Sequence, residues 1–243
     1  QSSEMFKMST EERLKLGQYV IGRVAGRLPV IAPGTFGGSI RDQVETIKQI
    51  ADLGVEAVIV IASCISEPGD SDEAWRQNLD AVLAGTGETP LGLYECPDPY
   101  HRLIPAPTLA WAAQPGRFFC LKDTTCRTGE IAAKIKAAAG TPLKFFNADT
   151  TSLLFSLEQG GSGYCGIAAN FYPEPVVWLC ANPTHPQAAA VQQQLAAVDM
   201  AIHRGYPVSA KYVRQQAGLK IETVSRAHNQ YLTEQEKRSL DAI

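Results

Sequence analysis

The sequence predicts an α/β protein with parallel strands, and three observations support this fold class. Short apolar segments alternate with amphipathic segments from Leu28 to Asn170. The connections between them are short and often contain glycine or proline, as in PG at 33–34. The segment VEAVIVIAS (55–63) is apolar throughout, which is typical of a strand covered on both faces. Strands that alternate with helices pair in parallel through helical crossovers.

The helix starts carry recognisable signals. Ser9 with Glu12 three residues later forms a capping-box pattern, which predicts a helix from there to about Ala25. The segment SIRDQVETIKQIADLG (39–54) repeats apolar residues at helical spacing and ends at Gly54, which predicts an amphipathic helix.

The later segments continue the alternation. The predicted strands span 28–34, 55–63, 90–97, 117–123, 142–149 and 163–170, and the helices after the second span 72–85, 106–114, 129–140 and 151–161. Helical segments fill most of the remainder, with breaks at Asn182-Pro183 and Gly205-Tyr206-Pro207.

A closed barrel explains the polar residues better than an open sheet does. No Gly-x-Gly-x-x-Gly or Walker sequence follows any strand, which disfavours an open-sheet nucleotide-binding enzyme. In a barrel, functional side chains lie at the carboxyl ends of the strands. The polar residues at predicted strand ends are Tyr94, Lys122, Asp123, Asn147, Asp149 and Asn170. We therefore expect a (β/α)8 TIM barrel over residues 1–180, with six strand–helix units visible, and C-terminal helices packed on it over 181–243.

The composition is that of a soluble globular protein, with 45% hydrophobic and 19% charged residues. A net charge of −3 argues against a nucleic-acid or anionic-membrane partner, which would require clustered Lys and Arg. No apolar run reaches the ~20 residues of a membrane span, and no secretory signal peptide is recognisable.

Cysteine and histidine usage predicts a cytoplasmic protein without a metal or another cofactor. The six cysteines contain no Cys-x-x-Cys pair and favour buried thiols in a reducing cytosol over disulfides or zinc. The four histidines are far apart, with no metal-ligand spacing: His101, His185, His203 and His228.

A lysine at the end of an apolar strand is the most unusual feature. The stretch FFCLKDTT (118–125) runs from apolar residues into Lys122. Burying an unpaired ammonium costs several kcal/mol. Lys122 is therefore either salt-bridged to Asp123 or another carboxylate, or an amine kept neutral for chemistry.

Tyr94 ends the strand before the one that carries Lys122, so the two side chains can converge at a barrel mouth. A neutral amine can attack a ketone and form a Schiff base. A tyrosine phenol can relay the protons that this reaction moves. The alternative for Tyr94 is an aromatic residue that packs at a strand end.

Several segments together resemble a known family. LGLYECP (91–97) and FFCLKDTT resemble the tyrosine and lysine motifs of the dihydrodipicolinate synthase/N-acetylneuraminate lyase family of class I aldolases. NADTTSLLFSLEQGGSGYCGIAAN (147–170) resembles its next two strands, and LPVIAPGT (28–35) resembles an earlier one. The resemblance runs from Gln1 to about residue 173 in consistent order and weakens through the C-terminal helices.

The resemblance implies roles for particular residues. Lys122 would form the Schiff base with pyruvate or another 2-oxo acid, and Tyr94 would relay protons. The family's hydroxyl pair that helps hold the carboxylate aligns with Gln1 and Ser2, of which only Ser2 keeps a hydroxyl. The strand GYCGIAAN would line the substrate site near Cys165, Gly166 and Ile167.

The sequence departs from the family pattern in three places. The resemblance begins just after the family's second strand, so we expect a longer chain with about 50 further residues. Pro99 stands near the place of the arginine with which the synthases bind their second substrate, and Arg102 is the available substitute. Gln1 replaces a hydroxyl residue, although its amide can still donate a hydrogen bond.

The residues around Tyr94 have structural alternatives. The loop from Pro97 to Arg102 is either a reshaped acceptor pocket, with His101 or Arg102 meeting an acidic or polyhydroxy substrate, or a rigid surface turn. Glu95 points to the opposite strand face from Tyr94, where we expect a structural ion pair. We expect Asn147 and Asp149 to be turn and cap residues.

These features predict a Schiff-base lyase or aldolase that joins or cleaves a carbon–carbon bond between a 2-oxo acid and an aldehyde, and that is not dihydrodipicolinate synthase itself. A dehydratase of keto-deoxy sugar acids is a close alternative, because the same imine can eliminate water. A non-catalytic barrel that binds a metabolite is the alternative outside enzymes. The resemblance implies a homotetramer or a homodimer.

Overall fold

The computed structural model describes residues 4–227 and 231–242. The predicted site residues Gln1 and Ser2, and also His228, lie outside the described residues. The strands are β1 Ile31–Pro33, β2 Ala57–Ile61, β3 Leu91–Tyr94, β4 Phe118–Asp123, β5 Lys144–Asn147 and β6 Gly163–Tyr164. The α-helices are α1 Thr10–Val24, α2 Ile40–Ala51, α3 Asp72–Gly85, α4 Ala106–Ala113, α5 Thr128–Ala138, α6 Leu153–Glu158, α7 Pro173–Ala181, α8 Ala188–His203, α9 Val208–Gln216 and α10 Glu234–Asp241.

The strands follow one another in the sheet in chain order, from β1 to β6. The pairs β1–β2, β2–β3 and β3–β4 are parallel, and a helix lies between each pair of consecutive strands. These are six strand–helix units of a (β/α)8 barrel followed by C-terminal helices, which confirms the predicted fold class.

The pairing of β3 with β4 contains one irregularity. Leu91 pairs with Phe118, but the next residue, Gly92, pairs with Cys120. Phe119 is therefore an extra residue in β4, and its side chain is 43% exposed. A β-bulge of this kind shifts the register of everything that follows it by one residue.

Local signals place the first helices as predicted. The Ser9 backbone N–H donates to Glu12 Oε2 (2.8 Å), and the Glu12 N–H donates to Ser9 Oγ (3.2 Å), which completes the capping box at the start of α1. Ser39 caps α2, whose Ile47 and Ile50 are buried.

The described chain divides into two compact units. The first unit comprises Met8–Phe146, and its core places helix residues such as Trp75 and Leu79 in full burial with strand residues such as Val60 and Leu93. Apolar burial of this kind stabilises by about 25 cal/mol per Å² of surface removed from water.

The second unit comprises the described residues of 1–7 together with 147–243. One apolar cluster joins α6 to the C-terminal helices; it contains Leu153, Ala168, Phe171, Val176, Leu179, Ala188, Leu195, Ile202, Ala210 and Leu240. The division into compact units thus falls at residue 147, whereas the sequence predicts a domain boundary at residue 180.

The predicted strand over 163–170 is wrong beyond its second residue. After β6 the backbone turns at Gly166, and Ile167–Asn170 form a short 3-10 helix. The Ala168 N–H donates to the hydroxyl of Tyr164, four residues earlier (3.3 Å), a side-chain contact that an apolar sequence pattern does not reveal.

Across residues 4–227 and 231–242, no helix is long and apolar enough to cross a membrane.

Candidate active site

Tyr94 and Lys122 lie side by side at the carboxyl ends of β3 and β4. They are register partners across the two parallel strands, so their side chains leave the sheet on the same face. The Lys122 Nζ lies 4.3 Å from the centroid of the Tyr94 ring. Tyr94 is 8% exposed and Lys122 is partly buried. The structure therefore brings the two predicted catalytic residues together.

An ion pair with a carboxylate is the structural alternative that the sequence leaves open for Lys122. Within the described part of the chain, Lys122 forms no ion pair with Asp or Glu, and the neighbouring Asp123 pairs instead with Lys134 (2.7 Å). The Lys122 amine instead lies over the ring of Tyr94, in a cation–π contact of a kind worth about 0.5–2 kcal/mol.

A buried ionic cluster lies at the residues that follow the pair. Lys134 of α5 donates from Nζ to Glu95 Oε1 (2.6 Å), Asp123 Oδ1 (2.7 Å) and Thr125 Oγ1 (2.6 Å). The side chain of Lys134 is 2% exposed, and both carboxylates are fully buried. The predicted ion pair of Glu95 is confirmed. Burial raises the pKa of Glu95 to about 7, against the lowering effect of Lys134 and with a further rise from Asp123.

Glu95 also binds two backbone segments. Its Oε1 accepts the Ile104 N–H (2.7 Å), and its Oε2 accepts the Thr124 N–H (3.2 Å). The Thr124 hydroxyl donates to the Glu95 carbonyl oxygen (2.6 Å), and the Glu95 N–H donates to the Lys122 carbonyl oxygen (3.2 Å). The ends of β3 and β4 are therefore joined through backbone and side-chain bonds.

The loop after Tyr94 is held by hydrogen bonds from both neighbouring strand ends. The Tyr100 hydroxyl donates to the Ser66 carbonyl oxygen (2.9 Å) and lies 2.7 Å from the Ser66 hydroxyl. His101 Nε2 lies 2.8 Å from Thr124 Oγ1. Burial lowers the pKa of His101, with the cation Lys134 acting in the same direction. These contacts give the loop a defined position beside the pair.

Arg102 contacts the start of α3. Its guanidinium donates to the Asp70 carbonyl oxygen (2.8 Å), the Ser71 carbonyl oxygen (3.2 Å) and the Asp72 carboxylate (3.0 Å). These contacts give Arg102 a structural role at the N-terminus of that helix. Its predicted role in substrate binding stays a prediction.

Cys165, Gly166 and Ile167 belong to the second compact unit. The Cys165 N–H donates to the Asn147 carbonyl oxygen (2.8 Å). A Cβ on Gly166 would overlap the Tyr164 hydroxyl and the Ala148 carbonyl oxygen, so this position requires glycine. The substrate-lining role of Cys165, Gly166 and Ile167 stays a prediction.

The polar residues at the end of β5 and directly after it have structural roles, as predicted. Asp149 accepts the N–H groups of Thr151 (3.3 Å) and Ser152 (3.1 Å) and caps the 3-10 helix that precedes α6. The buried Asn147 accepts the Asp149 N–H through Oδ1 (2.8 Å). Nearby, burial raises the pKa of the Tyr164 hydroxyl to about 12.

Two residues that hold the site were not identified from the sequence, Lys134 and Thr124. Lys134 lies three residues after Ile131 and four before Ala138, both buried, so its helix face could have indicated burial. Its partners on β3 and β4 follow only from the fold. In the part of the chain that the structure describes, no three His, Cys, Asp or Glu residues form a cluster suited to a metal ion.

A lysine amine and a tyrosine ring lie together at the carboxyl ends of adjacent barrel strands. This arrangement suits a class I aldolase or lyase, in which a lysine amine forms a Schiff base with the substrate. The profile of the dihydrodipicolinate synthetase family matches residues 1–243, and the chain belongs to this family. Since its members are class I pyruvate aldolases and lyases, the protein is an enzyme of that class.

Known proteins of this family are similar along nearly the whole chain. The 4-hydroxy-tetrahydrodipicolinate synthase of Bacillus subtilis (strain 168) is 30% identical over 242 residues, which cover 97% of this chain and 81% of that protein. The structure of YagE, a prophage protein of this family from E. coli K12 in complex with pyruvate, shares the fold with a TM-score of 0.88 at 20% identity and covers 99% of this chain and 82% of that one. The pyruvate complex of dihydrodipicolinate synthase from Acinetobacter baumannii has a TM-score of 0.84 at 22% identity and covers 97% of this chain and 80% of that one.

Proposed function

We propose that the protein joins or cleaves a carbon–carbon bond between a 2-oxo acid, pyruvate or a close analogue, and an aldehyde. In this proposal Lys122 forms the Schiff base and Tyr94 relays protons. The observation that carries it is the Lys122 amine 4.3 Å from the Tyr94 ring centroid, at the ends of two register-paired strands. The pyruvate bound to two solved relatives supports the choice of a 2-oxo acid.

The chemistry divides between the two side chains. The Lys122 amine, once unprotonated, attacks the C2 carbonyl carbon and forms a carbinolamine. A proton delivered to the carbinolamine hydroxyl lets that group leave as water, and a protonated imine remains. This imine withdraws electrons from C3, so a C3 proton can leave and the resulting enamine can attack an aldehyde. The reverse sequence cleaves the same bond. Each step moves a proton to or from a group beside the amine, which is where the Tyr94 phenol lies.

The second substrate differs, in our proposal, from that of dihydrodipicolinate synthase. Pro99 stands near the position where the resemblance places the arginine of the synthases, and Arg102 is held at the start of α3. The loop instead presents Tyr100 and His101, held through Ser66 and Thr124. A dehydratase acting on a keto-deoxy sugar acid would use the same imine, so aldehydes and sugar acids are screened together.

The test is borohydride reduction in the presence of pyruvate, followed by peptide mass analysis. We expect a reduced pyruvate adduct on Lys122, and no adduct in Lys122→Ala. Lys144→Ala is the matched control, because it removes an exposed lysine from β5, the next strand, and should leave the adduct intact. A folded protein that carries no adduct on Lys122 with any 2-oxo acid overturns the proposal.

A second measurement separates the enzyme from a non-catalytic metabolite-binding barrel. Exchange of the pyruvate methyl protons with deuterated solvent requires the imine and the relay. We expect exchange in the unmodified protein and its loss in Lys122→Ala. Binding of pyruvate without any exchange would favour the non-catalytic alternative.

The same proposal includes a role for Gln1 and Ser2 in binding the substrate carboxylate. It also includes substrate contacts from Cys165, Gly166 and Ile167, and a cytoplasmic location. The proposal further includes assembly into a homotetramer or homodimer, which analytical ultracentrifugation tests.

A further inference from the structure

The two candidate catalytic residues are each followed directly by a buried carboxylate. Glu95 follows Tyr94, and Asp123 follows Lys122. Because successive side chains of a strand point to opposite faces, the amine and the ring lie on one face and the two carboxylates on the other. Lys134 joins the carboxylates at 2.6 and 2.7 Å. The same two strand ends therefore carry the reactive pair and the ionic cluster.

We infer that Glu95 is a positioning residue, and that the cluster of Glu95, Asp123 and Lys134 holds the two strand ends so that the Lys122 amine stays on the Tyr94 ring. This inference rests on the proposed function. In this inference Glu95, Asp123 and Lys134 do not contact the substrate. They position Tyr94 and Lys122 through the backbone of residues 94–95 and 122–124.

Three separate segments meet on the Glu95 carboxylate. It accepts from Lys134 of α5, from the backbone N–H of Ile104 ahead of α4, and from the backbone N–H of Thr124 directly after β4. The last two bonds fix the backbone on either side of the pair: one after the Tyr94 loop, the other two residues after Lys122. A displacement of about 1 Å at a reacting group can slow a reaction on the order of a hundredfold.

Stability alone is a weak reason for such a cluster. Apolar side chains of similar volume stabilise a core as well as, or better than, a buried ion pair. A buried ionic network does, however, accept few alternative arrangements, because each displaced group would lose its partner in a nonpolar interior. The buried ionic cluster therefore fixes the positions of the two strand ends more tightly than an apolar contact would.

The Glu95→Gln variant tests the inference with a small change. Glutamine offers one acceptor oxygen where glutamate offers two. If that oxygen keeps Lys134 and Ile104, the amide NH2 faces the Thr124 N–H, and two donors meet where a hydrogen bond of 3.2 Å stood. If the amide is flipped, its NH2 faces Lys134 and Ile104 instead. Either orientation shifts a segment that holds the pair.

We expect the turnover rate of pyruvate methyl-proton exchange to fall about ten- to a hundredfold in Glu95→Gln, with KM for pyruvate within about threefold. Glu88→Gln changes an exposed glutamate of the same unit and should leave both values unchanged. Since Glu95 is itself titratable, the rates are compared across pH. The charged groups that face it are Lys134 and Asp123, and His101 binds its neighbour Thr124.

Lys134→Met is the second variant, and it should slow methyl-proton exchange at least as strongly as Glu95→Gln does. Its exchange rate is measured at a pH at which circular dichroism shows that the variant is folded. An active wild type together with a folded Glu95→Gln variant whose turnover stays within twofold of it overturns this inference alone. So does a tenfold rise in KM with unchanged turnover, because that pattern belongs to a binding residue. A wild type without adduct or exchange overturns the proposed function, and this inference with it.

Discussion

Replacement of Lys134 by methionine should destabilise the protein strongly, because it removes one charge from a buried cluster of three. The ammonium makes hydrogen bonds of 2.6, 2.7 and 2.6 Å to Glu95, Asp123 and Thr125. Both carboxylates are fully buried, so water cannot replace the lost cation. Removal of one partner from a buried ion pair costs about 3–5 kcal/mol. For a chain of this size, each kcal/mol of lost stability lowers Tm by about 2–4 °C.

The loss should depend on pH, and its direction follows from Glu95. Burial raises the pKa of Glu95 from 4.5 to about 7, so the folded state holds this proton more tightly than the unfolded state does. The stability that this proton contributes is complete below about pH 4.5 and is lost as the pH rises through 7. Without the Lys134 cation the pKa rises further, so the variant loses stability over a wider range. Its deficit relative to wild type should be small at pH 5 and large at pH 8.

Urea unfolding followed by tryptophan fluorescence at pH 5 and pH 8 measures both effects. Lys136→Met is the matched control, since it makes the same change on an exposed position of α5 and should cost less than about 0.5 kcal/mol. A loss below 1 kcal/mol at pH 8, or an equal loss at both pH values, would refute the reasoning about the buried cluster.

Three further predictions concern the candidate catalytic pair Tyr94 and Lys122, the glycine turn and the first helix. Tyr94→Phe keeps the ring under Lys122 but lacks the hydroxyl, so methyl-proton exchange should fall about 10²- to 10⁴-fold while pyruvate adducts on Lys122 still form; unchanged exchange would exclude Tyr94 as the relay. Gly166→Ala should cost about 1–3 kcal/mol, measured by thermal unfolding, because the new methyl group would overlap the Tyr164 hydroxyl, and a neutral result would contradict the required close approach. Ser9→Ala removes the capping box of α1 and should cost about 1 kcal/mol in urea unfolding, whereas Thr10→Ala next to it keeps the cap and serves as the control.

The sequence predicts the parts of this fold that depend on local patterns. The cap at Ser9, the apolar strand around Val60 and the placement of Tyr94 and Lys122 at strand ends follow from residue spacing alone. The 3-10 helix over Ile167–Asn170 does not, because the apolar pattern gives no sign that the Tyr164 hydroxyl accepts the Ala168 N–H within this segment. Apolar residues before Asn170 fit a strand equally well.

The buried cluster shows a second limit of sequence reasoning. The position of Glu95 on the strand indicates a partner behind the sheet, but the choice of Lys134 depends on how α5 lies against β3 and β4. Lys136, two residues later on the same helix, is exposed. Helical spacing from Ile131 and Ala138 separates these two lysines, whereas the partners of Lys134 follow only from the packing of the helix.

The extra residue in β4 decides which side chain stands beside Tyr94. Counted from the pair Leu91 and Phe118, an unbroken ladder would place Leu121 opposite Tyr94, and the bulge at Phe119 places Lys122 there instead. A β4 lacking Phe119 would pair with β3 without the bulge and would still place Lys122 opposite Tyr94. Removal of one residue after the bulge, at Leu121, would instead bring Asp123 opposite Tyr94 and take Lys122 out of register. The length of β4 beyond Phe119 thus decides which side chain shares the strand end with the tyrosine.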